Sequence, residues 1–259
     1  MSEIENLLPL LYAIDADYGW SCGMRAITHS LLADFPAPSP RGAAILEIGC
    51  GAGTFLHEVA YHWPEAVVVG TDLHPLALAH ASRSPGRGME VTSQSVVEFA
   101  QSDLTRLPFS DGQFQLLLAL DVYDQQGVHL AAALAESWRV LAPAGHLLLR
   151  VSAYPWLQSD HDRAFQTAHR YGRTALTAAV QAAHFRPLRV TYANSLLAVP
   201  VIGLRLLQRW RLLPHTPGLY TDPWSNRVLA AVLRWEARWL RQHNLPGGIS
   251  LYLIARKEA

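Results

Sequence analysis

Short apolar runs and longer amphipathic segments alternate between residues 44 and 151. The apolar runs are rich in Val, Ile and Leu and predict buried strands over 44–49, 66–70, 96–100, 115–120 and 146–151. Between some of them, apolar residues recur at helical spacing and predict helices over 54–62, 76–82 and 130–141. Strands that alternate with helices predict an α/β fold with a parallel sheet and right-handed crossovers.

The segments on either side of this alternation also have regular patterns. Apolar spacing predicts helix over 1–35, and three prolines between 36 and 40 predict a linker. Beyond residue 151 the same periods predict two helices and two strands, over 173–183, 224–243, 188–192 and 249–255. We therefore expect a helical cap over 1–40 and a main domain over 41–259, with a helical insertion at about 195–245.

The stretch between Ile45 and Phe55 carries the most specific chemical signal. A buried strand ends in Glu47 and Ile48, three glycines follow at alternate positions, and an amphipathic segment then begins. Glycines allow a sharp turn and the close approach of a ligand, and a helix N-terminus favours an anionic group. The spacing is G-x-G-x-G, which differs from the G-x-G-x-x-G of dinucleotide folds. The Gly-Lys-Ser/Thr of a phosphate-binding loop is also missing.

With its preceding acid, this E-x-G-x-G-x-G pattern resembles motif I of class I S-adenosylmethionine (SAM)-dependent methyltransferases. The segment LPFSDGQF at 107–114 and the Pro143–Gly145 turn resemble further motifs of that family, and the resemblance covers 44–256. It implies a Rossmann-like fold with a seven-stranded, mostly parallel sheet and an antiparallel last strand. It also implies SAM as cofactor and S-adenosylhomocysteine as product. A glycine turn of some other α/β domain is the alternative.

Acids at two strand ends extend the predicted cofactor site. Asp72 follows the second strand, where a carboxylate accepts from ribose hydroxyls in doubly wound sheets. Asp103 follows the third strand, where the resemblance implies a contact with adenine. The full set of predicted cofactor residues is Glu47, Gly49, Cys50, Gly51, Gly53, Asp72, Leu73, Asp103, Leu104, Leu120 and Asp121.

A loop after the fifth strand resembles a narrower bacterial envelope and secondary-metabolism subgroup, through Tyr154-Pro-Trp-Leu and His161-Asp162. His161 is the candidate general base, with Asp162 as its orienter and Tyr123 as a second choice. A structural His161 is the alternative, and no metal-ligand set is found. Candidate substrate residues are Tyr18, Trp20, Arg25, Tyr154, Trp156, Arg170 and Tyr171. For Tyr18, Trp20, Tyr154 and Trp156, packing is the alternative.

The chain departs from the subgroup at two positions where relatives carry glycine. Gln166-Thr167 stands where the subgroup has Gly-His, and His184 stands where the helix before strand six normally ends in Ala-Gly-Phe. Glycine at such a helix end supplies a positive φ. These departures indicate a diverged member whose substrate has changed.

The net charge of zero hides an asymmetry between the two parts of the chain. Residues 1–162 carry 18 acids and 7 bases, a net charge of −11, and residues 163–259 carry 3 acids and 14 bases, a net charge of +11. Either the two parts attract each other within one fold, or the basic part faces an anionic substrate or a membrane. The apolar segment 195–212 carries three arginines, and Pro200 and Gly203 predict that it is not one unbroken helix. For this segment a core-packed lid is favoured over membrane contact or a homodimer interface.

These patterns lead to one main functional hypothesis, a SAM-dependent transfer of a methyl group to a small-molecule acceptor, either a natural product or a saccharide- or lipid-linked intermediate. One alternative is a SAM-binding protein that catalyses a cyclisation or rearrangement, and another is a binding module without catalysis. A nucleic-acid substrate is not expected, because there is no Asn/Asp-Pro-Pro-Tyr and Lys257 is the only lysine. With no signal peptide or apolar span in the sequence, we expect a cytoplasmic protein.

Overall fold

The computed structural model describes residues 12–33, 43–83, 96–159, 162–163, 165–209 and 222–258, with side chains given for all of these except 204–206, 208 and 209. Seven strands form one sheet: β1 Ala44–Ile48, β2 Val67–Asp72, β3 Val96–Gln101, β4 Phe114–Leu120, β5 Leu141–Ser152, β6 Phe185–Ala193 and β7 Ser250–Lys257. Their order is β3-β2-β1-β4-β5-β7-β6.

The direction of the strands confirms the predicted fold class. β1 to β5 are parallel, and β7 runs antiparallel to both of its neighbours, β5 and β6. The carboxyl ends of the five parallel strands therefore meet at one edge of the sheet, where ligands bind in open α/β folds. Strand β5 is longer than predicted, because Pro143–Gly145 lies within the strand rather than in a turn before it.

Helices cover both faces of the sheet. They are α1 Gly19–Leu32, α2 Thr54–His62, α3 Pro75–Ala81, α4 Leu130–Val140, α5 Arg173–Ala182, α6 Ser195–Arg209 and α7 Pro223–Leu240. One hydrophobic core packs α1, α2 and α7 against the sheet, and a second core lies on the face covered by α4 and α5. No helix among the described residues combines the length and apolar composition needed to cross a bilayer.

Helices α6 and α7 form the predicted insertion between β6 and β7. The prediction that Pro200 breaks the first of them is wrong, since Ser195–Arg209 is one helix with Pro200 inside it. The Glu236 carboxylate accepts from the backbone N–H groups of Asn194 (2.5 Å) and Ser195 (2.9 Å) at the start of α6. These bonds satisfy donors that a helix start leaves unpaired, and Pro200 then removes only one hydrogen bond further along. The rest of the apolar segment, 210–212, lies outside the described residues, and its role as a lid stays a prediction.

The N-terminal cap and the insertion pack directly on each other through α1 and α7. Asn226 of α7 accepts from the N–H of Gly19 at 2.5 Å, and its amide donates to the carbonyl of Asp17 at 3.0 Å. One helical turn on, Gly23 lies so close to Leu233 that a Cβ would overlap it. The cap residues 1–11 and 34–40 lie outside the described residues, and the domain division stays a prediction.

Gly23→Ala is expected to lower the free energy of unfolding by about 1–3 kcal/mol, because the added methyl group forces the closely packed α1 and α7 apart. Urea denaturation measures the change. The matched control is Gly203→Ala in α6, where a Cβ would meet nothing within 4 Å. The control should keep or gain stability by up to about 1 kcal/mol through helix propensity. Equal stability of Gly23→Ala and the wild type would contradict the close packing.

Candidate functional site

The loop between β1 and α2 turns on three glycines with left-handed backbones. Gly49, Gly51 and Gly53 have φ values of +68°, +52° and +71°. A Cβ on the first or the third would lie 2.6 or 2.7 Å from a neighbouring side chain, so packing within the protein closes those positions. Among the described residues, a Cβ on Gly51 would meet only Tyr12 Cε1, at 3.8 Å. The backbone at Gly51 is therefore the part of the loop that a ligand could approach.

Asp72 lies at the end of β2, as predicted, and is bonded to this loop. Its Oδ2 accepts from the Gly51 N–H at 2.9 Å, and its Oδ1 accepts from the His74 N–H at 2.9 Å. Each carboxylate oxygen keeps a lone pair for a further hydrogen bond. Leu73, next in the chain, is 60% exposed. The structure thus brings two of the predicted cofactor residues, Gly51 and Asp72, into direct contact.

Glu47, near the end of β1, is a buried acid with an unpaired oxygen. Its side chain is 3% exposed, and its Oε2 has no hydrogen-bond partner within the described part of the chain. Burial raises the pKa of Glu47 to about 8, and the nearby charge of Arg150 only partly opposes this. An unpaired buried polar atom is costly, so it is a candidate contact for a ligand. Cys50, in the same loop, is also buried.

Asp121, directly after Leu120 at the end of β4, is held in a two-pronged ion pair. Its Oδ1 accepts from Arg150 Nε at 2.8 Å and its Oδ2 from Arg150 Nη2 at 2.6 Å. Arg150 also donates to the Tyr252 hydroxyl at 3.2 Å. Burial lowers the pKa of Arg150, but Asp121 raises it by more, so the pKa lies above its ordinary value. The pair fixes one wall of the strand-end cleft, and Asp121 itself remains 43% exposed on its side chain.

Asp103 lies beyond the end of β3 with an exposed side chain. Its Oδ1 accepts from the backbone N–H of Thr105 at 2.8 Å and from the Thr105 hydroxyl at 2.7 Å. These bonds stabilise the ionised form and lower the pKa of Asp103. Leu104 is half-buried against the core. The neighbouring Ser102 has a buried hydroxyl without a partner in the described part of the chain, which sequence reasoning missed.

Tyr12 is a second residue that sequence reasoning missed. One atom of its ring, Cε1, lies 3.8 Å from the position that a Cβ on Gly51 would take, and burial, together with the charges of Asp72 and Cys50, raises the pKa of its hydroxyl to about 12. In the sequence it is one aromatic residue within a segment predicted only as helix, so no local pattern marks it. Its position nevertheless places the start of the described cap at the glycine loop.

The loop after β5 holds a buried ion pair between Asp162 and Arg170, two residues with predicted roles at the site. Arg170 donates to Asp162 through Nη2 at 2.5 Å and through Nε at 2.9 Å, and it also donates to the Ala153 carbonyl at 2.9 Å. The side chains are 5% and 3% exposed. Asp162 also accepts from the Ser159 N–H at 2.8 Å. The ion pair between Asp162 and Arg170 therefore holds the loop together. The predicted roles of Asp162 as orienter of His161 and of Arg170 as a substrate residue stay predictions. His161 lies outside the described residues, and its role stays a prediction.

Tyr123 and Arg25 also have structural partners that do not support the predicted roles. Tyr123 is fully buried, and its hydroxyl lies 2.5 Å from Ser137 Oγ of α4. Arg25 pairs with Glu58 of α2 at 2.7 Å and donates to the Ala16 carbonyl at 2.9 Å, which ties α1 to α2 and to the segment before α1. The predicted roles of Tyr123 and Arg25 stay predictions.

The remaining predicted substrate residues are aromatic, and they divide between the end of β5 and the cap. Tyr154 has φ +61°, and its ring stacks on Tyr192 with centroids 5.3 Å apart. Trp156 is 55% exposed and lies 5.7 Å from Tyr154. Tyr171 donates to the Tyr123 carbonyl at 3.2 Å. In the cap, Tyr18 precedes α1 and Trp20 packs on the core, away from the β5 loop. Trp156 is the exposed member of this set, and the other four are half-buried.

Comparison with known proteins again indicates a methyltransferase domain, as the glycine loop and the strand order do. A model of the family described as "Methyltransferase domain" matches residues 45–145. Demethylmenaquinone methyltransferase from Deinococcus radiodurans is 29% identical over 144 residues, which cover 56% of this chain and 54% of that protein. The chain therefore matches about half the length of this curated relative.

Solved structures resemble the chain over most of its length. Geranyl diphosphate methyltransferase in complex with SAM has a TM-score of 0.61 at 17% identity, covering 90% of this chain and 85% of the other. The [4+2]-cyclase SpnF has a TM-score of 0.58 at 19% identity, covering 90% and 81%. At these identities the likeness concerns the fold. Residues 45–145 therefore match a methyltransferase domain, and the glycine loop and the sheet order are those expected of class I SAM-dependent methyltransferases.

Proposed function

We propose that this protein transfers the methyl group of SAM to a small-molecule acceptor and releases S-adenosylhomocysteine. The observation that carries the proposal is the open backbone of Gly51, with the Asp72 carboxylate bonded to it, at the carboxyl edge of the parallel strands. The unpaired oxygen of Glu47 lies next to the same loop and also fits a polar ligand. SAM supplies an already activated methyl group on a sulfonium, so the protein mainly has to position the reactants.

The described residues suggest how the cofactor would be held. Asp72 would accept from the ribose hydroxyls, since both of its oxygens keep free lone pairs. Asp103 and the unpaired hydroxyl of Ser102 would meet the adenine at the end of β3. Glu47 would form hydrogen bonds with the polar groups of the methionine part of SAM, beside Gly49 and Gly51. This division follows the order in which β1, β2 and β3 end along the edge of the sheet.

The acceptor we propose is a small molecule with an apolar or planar part. Tyr154, Trp156 and Tyr192 form an aromatic group at the end of β5, which offers stacking surfaces. The name of the Deinococcus relative, a demethylmenaquinone methyltransferase, is consistent with such an acceptor. If the acceptor is a hydroxyl, His161 is the residue proposed to take its proton.

A SAM-dependent cyclisation or rearrangement is the second candidate. Asp162 and Tyr123, both predicted to be catalytic, are engaged in internal hydrogen bonds, which favours catalysis by positioning. The similarity in fold to a [4+2]-cyclase is compatible with this route. Incubation with SAM and a panel of quinone, phenol and acyl acceptors separates the candidates. Methyl transfer requires formation of S-adenosylhomocysteine in proportion to methylated product, whereas a cyclase leaves SAM unconsumed.

Asp72→Asn is expected to weaken SAM binding by about 1–3 kcal/mol, since it removes the charged acceptor of the proposed ribose bonds. Isothermal calorimetry measures the affinity. Glu65→Gln is the matched control, because Glu65 is exposed and precedes β2 at the opposite edge of the sheet. The control should bind SAM like the wild type. Unchanged affinity in Asp72→Asn would contradict the ribose assignment.

Glu47→Gln is expected to change how stability without SAM depends on pH. The pKa of Glu47 is about 8 in the fold and near 4.5 otherwise, so between these values the folded state binds more protons than the unfolded state. Stability of the wild type should therefore fall as pH rises from about 5 to 8, by on the order of 3 kcal/mol for this one group.

The variant should lack this contribution and should gain stability relative to the wild type as pH rises. Urea denaturation at about pH 5, 6.5 and 8 gives the difference between the two proteins at each pH, with Glu65→Gln as the control. A constant difference across this range would show that Glu47 is not a buried, proton-binding acid. A variant that is more stable but binds SAM more weakly would assign Glu47 to the ligand.

His161→Ala is expected to lower the rate of methyl transfer to a hydroxyl acceptor by about 10²-fold or more, while SAM affinity is unchanged. Steady-state kinetics and calorimetry give the two quantities. His129→Ala, an exposed histidine before α4, is the control and should retain the full rate. Full turnover by His161→Ala would show that catalysis depends on positioning of the reactants without a base at His161. It would also favour an amine or an activated carbon as acceptor.

A further inference from the structure

Helix α7 presents tryptophans and arginines to solvent along its whole length. Trp224, Trp235 and Trp239 are 74%, 54% and 46% exposed. Exposed arginines lie between and beside them. We call this surface the outer face of α7, and it consists of Trp224, Arg227, Val228, Arg234, Trp235, Arg238, Trp239 and Arg241. At the rise of an α-helix, Trp224 and Trp239 are about 22 Å apart.

The orientation of this face is fixed by the rest of the helix. The opposite side buries Leu233, Glu236 and Leu240 against α1 and the start of α6. The Asp222 side chain caps the N-terminus by accepting from the Ser225 N–H at 3.0 Å. Arg189 of β6 donates to the His243 carbonyl at 2.9 Å, just past the C-terminus. The helix cannot rotate its tryptophans inward without losing these contacts, so their exposure is a property of the fold.

The charge of the outer face has a single sign. Four arginines are exposed on it, and the only acid in the sequence of α7, Glu236, is buried on the opposite side. A surface of this charge attracts an anionic partner, most strongly at low salt. The exposed tryptophans add apolar area that water disfavours. The partner should therefore combine negative charge with an apolar layer.

We propose that the outer face of α7 docks on the surface of an anionic phospholipid membrane. Arginine binds phosphate through two parallel hydrogen bonds, and tryptophan favours the boundary between headgroups and acyl chains. Two apolar side chains of α6 are exposed as well, Leu196 at 50% and Val199 at 77%, although α6 begins beside Glu236 on the other side of α7.

The test is co-sedimentation of the full-length protein with phosphatidylcholine vesicles, with and without phosphatidylglycerol. The expected result is binding that requires phosphatidylglycerol and weakens at high salt. The variant R234E/R238E should bind at least about tenfold more weakly, because each basic residue near an anionic surface contributes to attraction. W235A/W239A should weaken binding to a similar degree. The binding that remains should depend on salt more strongly than that of R234E/R238E.

The matched control is R83E/R173E, which makes the same change in net charge at two exposed arginines outside α7. It should bind vesicles nearly like the wild type, and all variants should keep the wild-type melting temperature and SAM affinity. Failure of the wild type to bind at low salt would overturn the proposal, as would equal loss in R83E/R173E. A dimer that W235A/W239A dissolves without any vesicle binding would assign the face to a second copy. Tighter binding to a single-stranded oligonucleotide than to vesicles would also overturn it.

Discussion

The hydrogen bond from the Gly51 N–H to the Asp72 carboxylate is the constraint on which the proposed site depends. It joins the loop after β1 to the end of β2, at 2.9 Å, and thereby fixes the turn that leaves the Gly51 backbone open. The loop can make this turn because glycine adopts left-handed backbone angles at little steric cost. Packing then closes the positions of Gly49 and Gly53, so that among the described residues Gly51 is the glycine of this loop with the most space beside it. The proposed positioning of the reactants therefore depends on backbone geometry and does not require a catalytic side chain.

The unpaired acid at this loop illustrates a conflict between stability and function. Burial of Glu47 without a partner for one oxygen disfavours its charged form and lowers the stability of the fold near neutral pH. A glutamine or an apolar residue would remove that cost. An acid at this place is understandable if a ligand supplies the missing partner, which is the usual relation between a destabilising group and a binding site.

Periodic patterns and glycine spacing predicted the elements and the cofactor edge, because these depend on local sequence and on strand order. At two positions where the subgroup has glycine, this chain has another residue in a left-handed backbone conformation. Gln166 and His184 both have a positive φ, +57° and +64°. Side-chain partners were not predictable in this way. The pairing of Asp162 with Arg170 is decided by how a loop folds back on itself, and Tyr12 reaches Gly51 only through the tertiary packing of the cap.

The ion pairs of the described residues show whether the acidic part of the chain, 1–162, pairs with the basic part, 163–259. Arg25, Arg139 and Arg150 pair with acids from their own part of the chain, residues 1–162. The pair between Asp162 and Arg170 crosses the boundary, but its members are only eight residues apart. The ion pairs between described side chains therefore give no sign that the arginines of α7 are neutralised by acids of the other part. Those side chains face solvent on a rigidly held helix, which favours an external anionic partner over internal neutralisation.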